Sequence, residues 1–272
     1  MSKTILLTGG TDGIGFETAK KLVLRGHTIL LHGRNPQKLE DTKALLMRLN
    51  KSAQIRTYRA DFSKMTEVEQ LIRSITSDYQ SIDVLINNAG VFKTSATIND
   101  ANLDVRFIVN TIAPYALTKG LLSLFDNTSR VINLSSAAQS SVDLAALQGK
   151  KVMSDNNAYA QSKLAITMWT FQLAALLGET GPSLIAVNPA SFLGSKMVKE
   201  AYGSDGKDLT IGADILVNAA LNDEFAHVKG RYFDNDIGTW AQPHTDALDN
   251  SKNEELVNTI EAIIKQLKQP SH

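Results

Sequence analysis

"TGGTDGIG", residues 8–15, follows the short apolar run "TILLT" (Thr4–Thr8) and opens the helically spaced "FETAKKLVLRG" (residues 16–26). A glycine-rich turn between a strand and a helix has a physical reading that the same glycines elsewhere would lack. Gly9 lets the chain turn sharply. Gly13 removes a side chain where a pyrophosphate would approach the backbone, and Gly15 lets helix and strand pack closely. The helix start offers free N–H groups and positive dipole character to phosphates, with Thr11 and Ile14 in the same turn. The spacing is GxxxGxG, not GxGxxG. By itself it fits either a dinucleotide cradle or a turn with no ligand.

Working outward, apolar runs of strand length alternate with segments of helical period. "TILLHG" reads as a second strand, and Pro36 opens a helix running to about Asn50. "QIRTYRA" is a third strand. The helix "SKMTEVEQLIRSITSDY" follows it, with Ser63 as its cap. "IDVLINNAG" is a fourth strand. A long helical pattern spans Asp100 to Phe125, with Pro114 as a possible kink. "RVINLSS" and "SLIAVNP" are the fifth and sixth strands, separated by a long helix from Ala158 to Gly178. "GRYFD" is a seventh, and residues 251–268 form a last amphipathic helix. This alternation predicts an α/β fold: one doubly wound, seven-stranded parallel sheet with helices on both faces. No repeat or linker divides the 272 residues, so a single domain is expected over 1–272. Substrate loops are expected at about 91–99, 137–157 and 189–208, the last two on the sheet edge where open α/β folds bind ligands.

Composition removes several function classes. Lys+Arg and Asp+Glu are equal at 28 each, which gives no basic excess for nucleic acid. Cysteine is absent, so disulfides, thiolate catalysis and zinc–thiolate sites are excluded. The five histidines (27, 32, 227, 244 and 272) show no metal-ligand spacing, and no metal is expected. No apolar stretch reaches the ~18 residues of a membrane span. "MSKTILLTGG" has too short an apolar run for a signal peptide, and the expected location is the cytoplasm.

The end of the second strand points to a cofactor. Dinucleotide folds that prefer NAD place an acid about 20 residues past the glycines, on the ribose hydroxyls. Residues 18–39 contain no Asp or Glu, and the strand ends in Gly33-Arg34-Asn35. A guanidinium there suits a 2′-phosphate, which predicts NADP(H), with NAD(H) as the alternative. A solvated surface arginine would look the same.

Seven stretches together carry a resemblance: "TGGTDGIG" (8–15), "DFS" (61–63), "NNAG" (87–90), "VNTIAPYALT" (109–118), "INLSS" (132–136), "YAQSK" (159–163) and "VNPAS" (187–191). In this order, each at a strand end or helix start, they make the chain similar to the short-chain dehydrogenase/reductase family, over nearly its whole length. The resemblance implies a Rossmann-type fold and nicotinamide-dependent hydride transfer at a carbonyl or alcohol carbon of a small substrate. It also implies Tyr159 as proton donor or acceptor. Lys163, four residues on and therefore on the same helix face, would favour the phenolate and hold the nicotinamide ribose. Of Ser135 and Ser136, strand alternation lets only one face the site, and the family pattern points to Ser136 as donor to the substrate oxygen. Asn110 takes the fourth catalytic position, in a proton relay. Asp61 and Phe62 would lie beside the adenine, and Asn88, Ala89 and Gly90 under the adenosine ribose. Pro189 and Ser195 would border the nicotinamide.

The family commonly has Pro-Gly after the sixth strand; here it is Pro189-Ala190, and alanine disfavours positive φ. The hydroxyl that follows comes one residue late, at Ser195. The stretch "SSVDLAALQGKKVMSDNN" (140–157) is longer than in the commonest members. It resembles the branch with retinol and protochlorophyllide reductases, which handles bulky lipophilic substrates. It suits a reshaped entrance or a surface loop equally. Trp169 and Phe171 are expected in the core or at a subunit interface, because in this family their helix often packs on its twin in a homo-oligomer (dimer or tetramer). The expectation is an NADP(H)-dependent oxidoreductase. Its rivals are an NAD(H) enzyme of the same family and a regulator that senses NADP(H) without turnover.

Overall fold

A computed structural model describes residues 2–194 and 206–268. Its centre is an eight-stranded sheet in the order β3-β2-β1-β4-β5-β6-β7-β8. The strands are β1 (Thr4–Leu7), β2 (Thr28–Gly33), β3 (Ile55–Arg59), β4 (Val84–Asn87), β5 (Arg130–Leu134), β6 (Ser183–Asn188), β7 (Lys229–Asp234) and β8 (Thr239–Ala241). β1 to β7 pair in parallel. The eighth strand, outside the seven expected, returns antiparallel on β7. It is three residues long and carries no hydrophobic run, so pattern alone gives no sign of it. The order reverses between β1 and β4, and there the carboxyl ends of the strands open a crevice.

The inner strands β1, β2, β4, β5 and β6 are buried almost throughout because both faces are covered. Leu6, Leu30, Leu85, Val131 and Leu184 point to one core, under α3 (Met65–Asp78), α5 (Ala113–Gly120), α7 (Asp155–Leu177) and α9 (Asn250–Leu267). Their neighbours Ile5, Leu7, Ile29, Leu31, Ile86 and Ile132 point to the other, under α1 (Gly13–Leu24), α2 (Pro36–Leu49) and α8 (Leu209–Leu221). The sequence pattern left α8 unassigned.

Local chemistry sets the helix starts. Asp12 caps α1, its carboxylate accepting from Gly13 N at 2.9 Å. Asn35 caps α2, with Pro36 in the first turn. Ser154 caps α7, so this helix begins three residues before the expected Ala158. Ser63 does not cap α3: its hydroxyl donates to Asp61 Oδ1 at 2.8 Å, and Lys64 takes the cap position without a side-chain bond. The expected helix from 100 to 125 is interrupted. It runs as α4 (Val105–Phe107), a π-helical turn (Ile108–Ile112) and α5, then a 3-10 turn (Leu122–Leu124). The break precedes Pro114, which has no N–H for the carbonyl four residues earlier, that of Asn110.

Trp169 is wholly buried in the core. It packs edge-on to Tyr115 of α5, in the core that also takes Leu256, Ile260 and Ile263 of α9. The C-terminal helix of the same chain thus packs against α7.

Candidate active site

The glycine turn is tight for steric reasons. Gly9 and Gly13 have φ of +64° and +53°. A Cβ on Gly15 would lie 2.2 Å from Gly9 O, and one on Gly9 would lie 2.8 Å from Ala89 Cα. Helix α1, the turn and the end of β4 therefore close on one another with no room for a methyl. Asn88 locks this junction, its Nδ2 donating to Thr8 O at 2.8 Å and Gly9 O at 3.0 Å. Thr8 Oγ1 accepts from the backbone of both Asn88 and Ala89 at 3.0 Å.

Gly90, two residues on, reaches the other half of the site. A Cβ there would lie 3.4 Å from Asn110 Oδ1 and 3.7 Å from Lys163 Nζ. Residues 88–90 thus form a strip of small backbone running from the glycine turn to the lysine.

Tyr159 and Lys163 share one face of α7. Lys163 is buried, its ammonium 5.6 Å from the Tyr159 ring centroid and donating to Leu134 O at 2.7 Å. Burial pulls its pKa down to about 8. Phe92 stands edge-on to the Tyr159 ring at 4.8 Å. Asn110 lies in the π-helical turn. Its Oδ1 accepts from Val91 N at 2.8 Å, and its Nδ2 donates to Val91 O at 2.9 Å and Ser162 Oγ at 3.0 Å. The bond to Ser162 ties this turn to α7.

The two serines, just past the end of β5, differ in burial. Ser135 is buried, its hydroxyl bonded to Lys163 O at 3.0 Å and to Thr167 Oγ1 at 2.7 Å, underneath α7. Ser136 is partly exposed, and its Oγ accepts from Ala138 N at 3.1 Å.

At the other end of the crevice Arg34 is exposed, just past β2. Asn35 has a structural task as well, its Oδ1 accepting from Lys38 N at 3.0 Å. Lys38 Nζ reaches back to Asp12 Oδ2 at 3.1 Å. Gly33 makes room for Thr11, whose Cγ2 would lie 2.8 Å from a Cβ there. Asp61 Oδ1 accepts from Ser63 N and Oγ, and Phe62 is buried, stacked on His32 at 4.4 Å. His32 Nδ1 accepts from Gly9 N at 3.3 Å, which puts the ring proton on Nε2, 3.0 Å from Ala60 O. Burial lowers its pKa to about 4, so it is a neutral strut between the turn and β3.

Beyond β6, Pro189 O accepts from Asn235 Nδ2 at 3.0 Å. Ala190 keeps a positive φ, +111°. Ser195 lies outside the described residues. The 137–157 stretch holds a short helix, α6 (Leu144–Leu147). It is pinned to its surroundings: Gln139 Oε1 accepts from His244 N at 3.0 Å, and Gln161 Oε1 of α7 accepts from Asp143 N at 2.9 Å. Among the described residues no group of His, Cys, Asp or Glu could hold a metal ion.

Sequence reasoning missed Thr8, Ser162 and Phe92. Thr8 was the first letter of the glycine stretch, and Ser162 stood between Tyr159 and Lys163. Only contacts across the fold reveal what they hold.

Residues 3–205 match the short chain dehydrogenase family. Retinol dehydrogenase 12 of Bos taurus is 29% identical over 269 residues, covering 94% of this chain and 84% of its own. Polyprenol dehydrogenase of Homo sapiens is 28% identical over 257 residues, covering 87% and 78%. The structure of Pseudomonas aeruginosa RhlG in an NADP active-site complex superposes with a TM-score of 0.68 at 22% identity, covering 85% of this chain and 94% of that one. With residues 3–205 matching that family on a doubly wound sheet, the chain belongs to the short-chain dehydrogenase family and is an oxidoreductase acting on CH–OH and C=O groups.

Proposed function

We propose that the protein transfers hydride between NADP(H) and a carbonyl or alcohol carbon of a small lipophilic substrate, with Tyr159 as proton donor or acceptor. The observation that carries this reading is the juxtaposition of Tyr159 with the buried Lys163 ammonium at 5.6 Å, beside the Gly90 end of the strip that leads from the glycine turn. A dinucleotide fits what the residues offer. Gly9, Gly13 and Gly15 leave the backbone bare at the N-terminus of α1, and Ala89 and Gly90 keep the path towards Lys163 clear of side chains. The bound nicotinamide would supply or take the hydride.

The chain's own residues supply the rest. The Lys163 charge favours the phenolate form of Tyr159 and so lowers the cost of moving its proton. Leu134 O fixes the ammonium and Phe92 limits the ring. Ser136, just past β5 and less buried than Ser135, steadies the substrate oxygen as charge develops there. Asn110 holds the Val91 backbone beside the strip and supports the proton relay towards Lys163. Arg34 takes the 2′-phosphate, with Asn35 fixing the start of α2 next to it. Asp61 and Phe62 border the adenine, and Pro189 and Ser195 the nicotinamide. The names of the retinol and polyprenol dehydrogenases support a lipophilic substrate, and the NADP complex of RhlG supports the choice of cofactor.

The test is fluorescence titration of purified protein with NADPH and NADH, alongside Tyr159→Phe and Arg34→Ala, followed by a carbonyl panel. Tyr159→Phe should bind NADPH as the wild type does and lose turnover by at least about a hundredfold. Arg34→Ala should weaken NADPH by about tenfold or more and leave NADH unchanged. Equal NADH and NADPH affinity would overturn the phosphate clamp. Binding without turnover across the panel would favour the sensor.

A further inference from the structure

Ala190 has a backbone conformation that L side chains rarely adopt, with φ at +111°. Glycine would take it freely. What holds an alanine there is visible on both sides. Asp236, in the turn joining β7 to β8, accepts from Ser191 N at 2.9 Å through Oδ1. Its Oδ2 accepts from Ser191 Oγ at 2.5 Å and from Asn188 Nδ2 at 2.9 Å. Asn188 Nδ2 also donates to Asp234 Oδ1 at 2.7 Å, and Asn235 N donates to Asn188 O at 3.1 Å. One carboxylate therefore grips the residues two before and one after the strained position, and the neighbouring Asn235 holds Pro189 O. Asp236 is in turn placed by its own backbone, whose N–H donates to Asp234 Oδ1 at 3.0 Å.

The gripped loop leads back to the glycine turn. A Cβ on Gly212 of α8 would lie 2.6 Å from Leu193 Cδ1 and 3.3 Å from Ile14 Cδ1. The loop after β6 and the first turn of α1 thus pack on the same small residue.

We propose that Asp236 is a positioning residue that clamps Asn188 and Ser191 and so holds the cleft-edge turn at Ala190 in the geometry glycine would adopt unaided. The short eighth strand then has a purpose: it fixes the turn that carries the carboxylate. The proposal rests on the cofactor reading above for its effect on binding, but not for the clamp itself.

The experiment compares Asp236→Ala, Ala190→Gly and the double variant by two readouts. One is amide hydrogen exchange of the 188–194 segment without cofactor, and the other is the NADPH dissociation constant. Asp236→Ala should speed exchange in this segment and weaken NADPH by about tenfold, since strain of this kind is worth roughly one factor of ten. Adding Ala190→Gly should restore NADPH affinity, and exchange at the segment's amides other than Ser191, to within about threefold of wild type, because the turn no longer needs holding; the Ser191 amide has lost its acceptor in both variants that lack Asp236. Loss of a merely structural contact would not be rescued by a glycine 46 residues away in the chain. Unchanged exchange in Asp236→Ala, or no recovery in the double variant, would overturn the clamp. Faster exchange with unchanged NADPH affinity would overturn its role in the cleft. If the wild type bound no NADPH, the cofactor reading would fall while exchange still judged the clamp.

Discussion

Lys163→Met should remove a dependence of stability on pH that the wild type carries. Burial holds the Lys163 ammonium at a pKa of about 8 in the folded chain, against about 10.4 unfolded. At about 1.4 kcal/mol per unit, keeping that charge inside costs about 3 kcal/mol at neutral pH. The sign follows from proton counts. Between about pH 8 and 10.4 the unfolded chain binds more protons at this site, so raising the pH stabilises the wild type. Below that window the cost is present in full, and above it the cost is gone. Methionine binds no proton and has no such term. At pH 7 the variant gains from the absent charge and loses the bond to Leu134 O, a buried carbonyl left unpaired at about 1–3 kcal/mol. The two nearly cancel. Between pH 7 and pH 10 the stability difference, wild type minus variant, should move towards the wild type by about 2–3 kcal/mol. Urea unfolding of both proteins at unit steps of pH measures this, and titrating groups remote from Lys163 drop out of the difference. A gap that stays constant, or moves the other way, would show that this lysine is not held against its charge. The same variant should lose turnover at every pH.

The two adjacent serines should respond oppositely. Ser136→Ala should lower kcat by about a hundredfold with little change in Tm, whereas Ser135→Ala should cost about 1–2 kcal/mol of stability, since its buried hydroxyl bonds α7 at two points. Equal effects would mean that the strand does not separate their roles. Asp12→Asn keeps a good cap on α1 but removes the negative charge that now engages Lys38. NADPH should bind several-fold more tightly at low salt and no differently at high salt, because both side chains are more than half exposed. Weaker binding by titration would show that the aspartate serves the cofactor directly.

Local spacing made part of the site legible. Tyr159 and Lys163 lie one turn apart on any helix, so their pairing needed no knowledge of the fold. Alternation gave Ser135 and Ser136 different roles, and the two do differ in burial. The order of motifs gave the parallel sheet and its crevice. What stayed hidden depends on contacts across the chain. Gly33, at the end of β2, makes room for Thr11, because β2 and the glycine turn touch. Ser63 looked like a helix cap and was captured by Asp61, two residues back. Ala190 was read as a departure that strains a turn; its geometry survives because of Asp236, 46 positions away and on a strand turn too short to announce itself. Trp169 was compatible with core or interface, and only the docking of α9 shows it buried within the chain.

That docking has a consequence for synthesis on the ribosome. α7 carries Tyr159 and Lys163, and part of its apolar face is covered by residues 256–263 of α9. The strands that frame the glycine turn are all complete by Asn87, so their pairing can begin while much of the chain is still being made. The helix bearing the tyrosine has no such advantage. Its cover from α9 is made later, so a nascent chain that has exposed α7 but not α9 leaves Trp169 and its neighbours open to chaperones, and α7 gains its full packing only when α9 joins it.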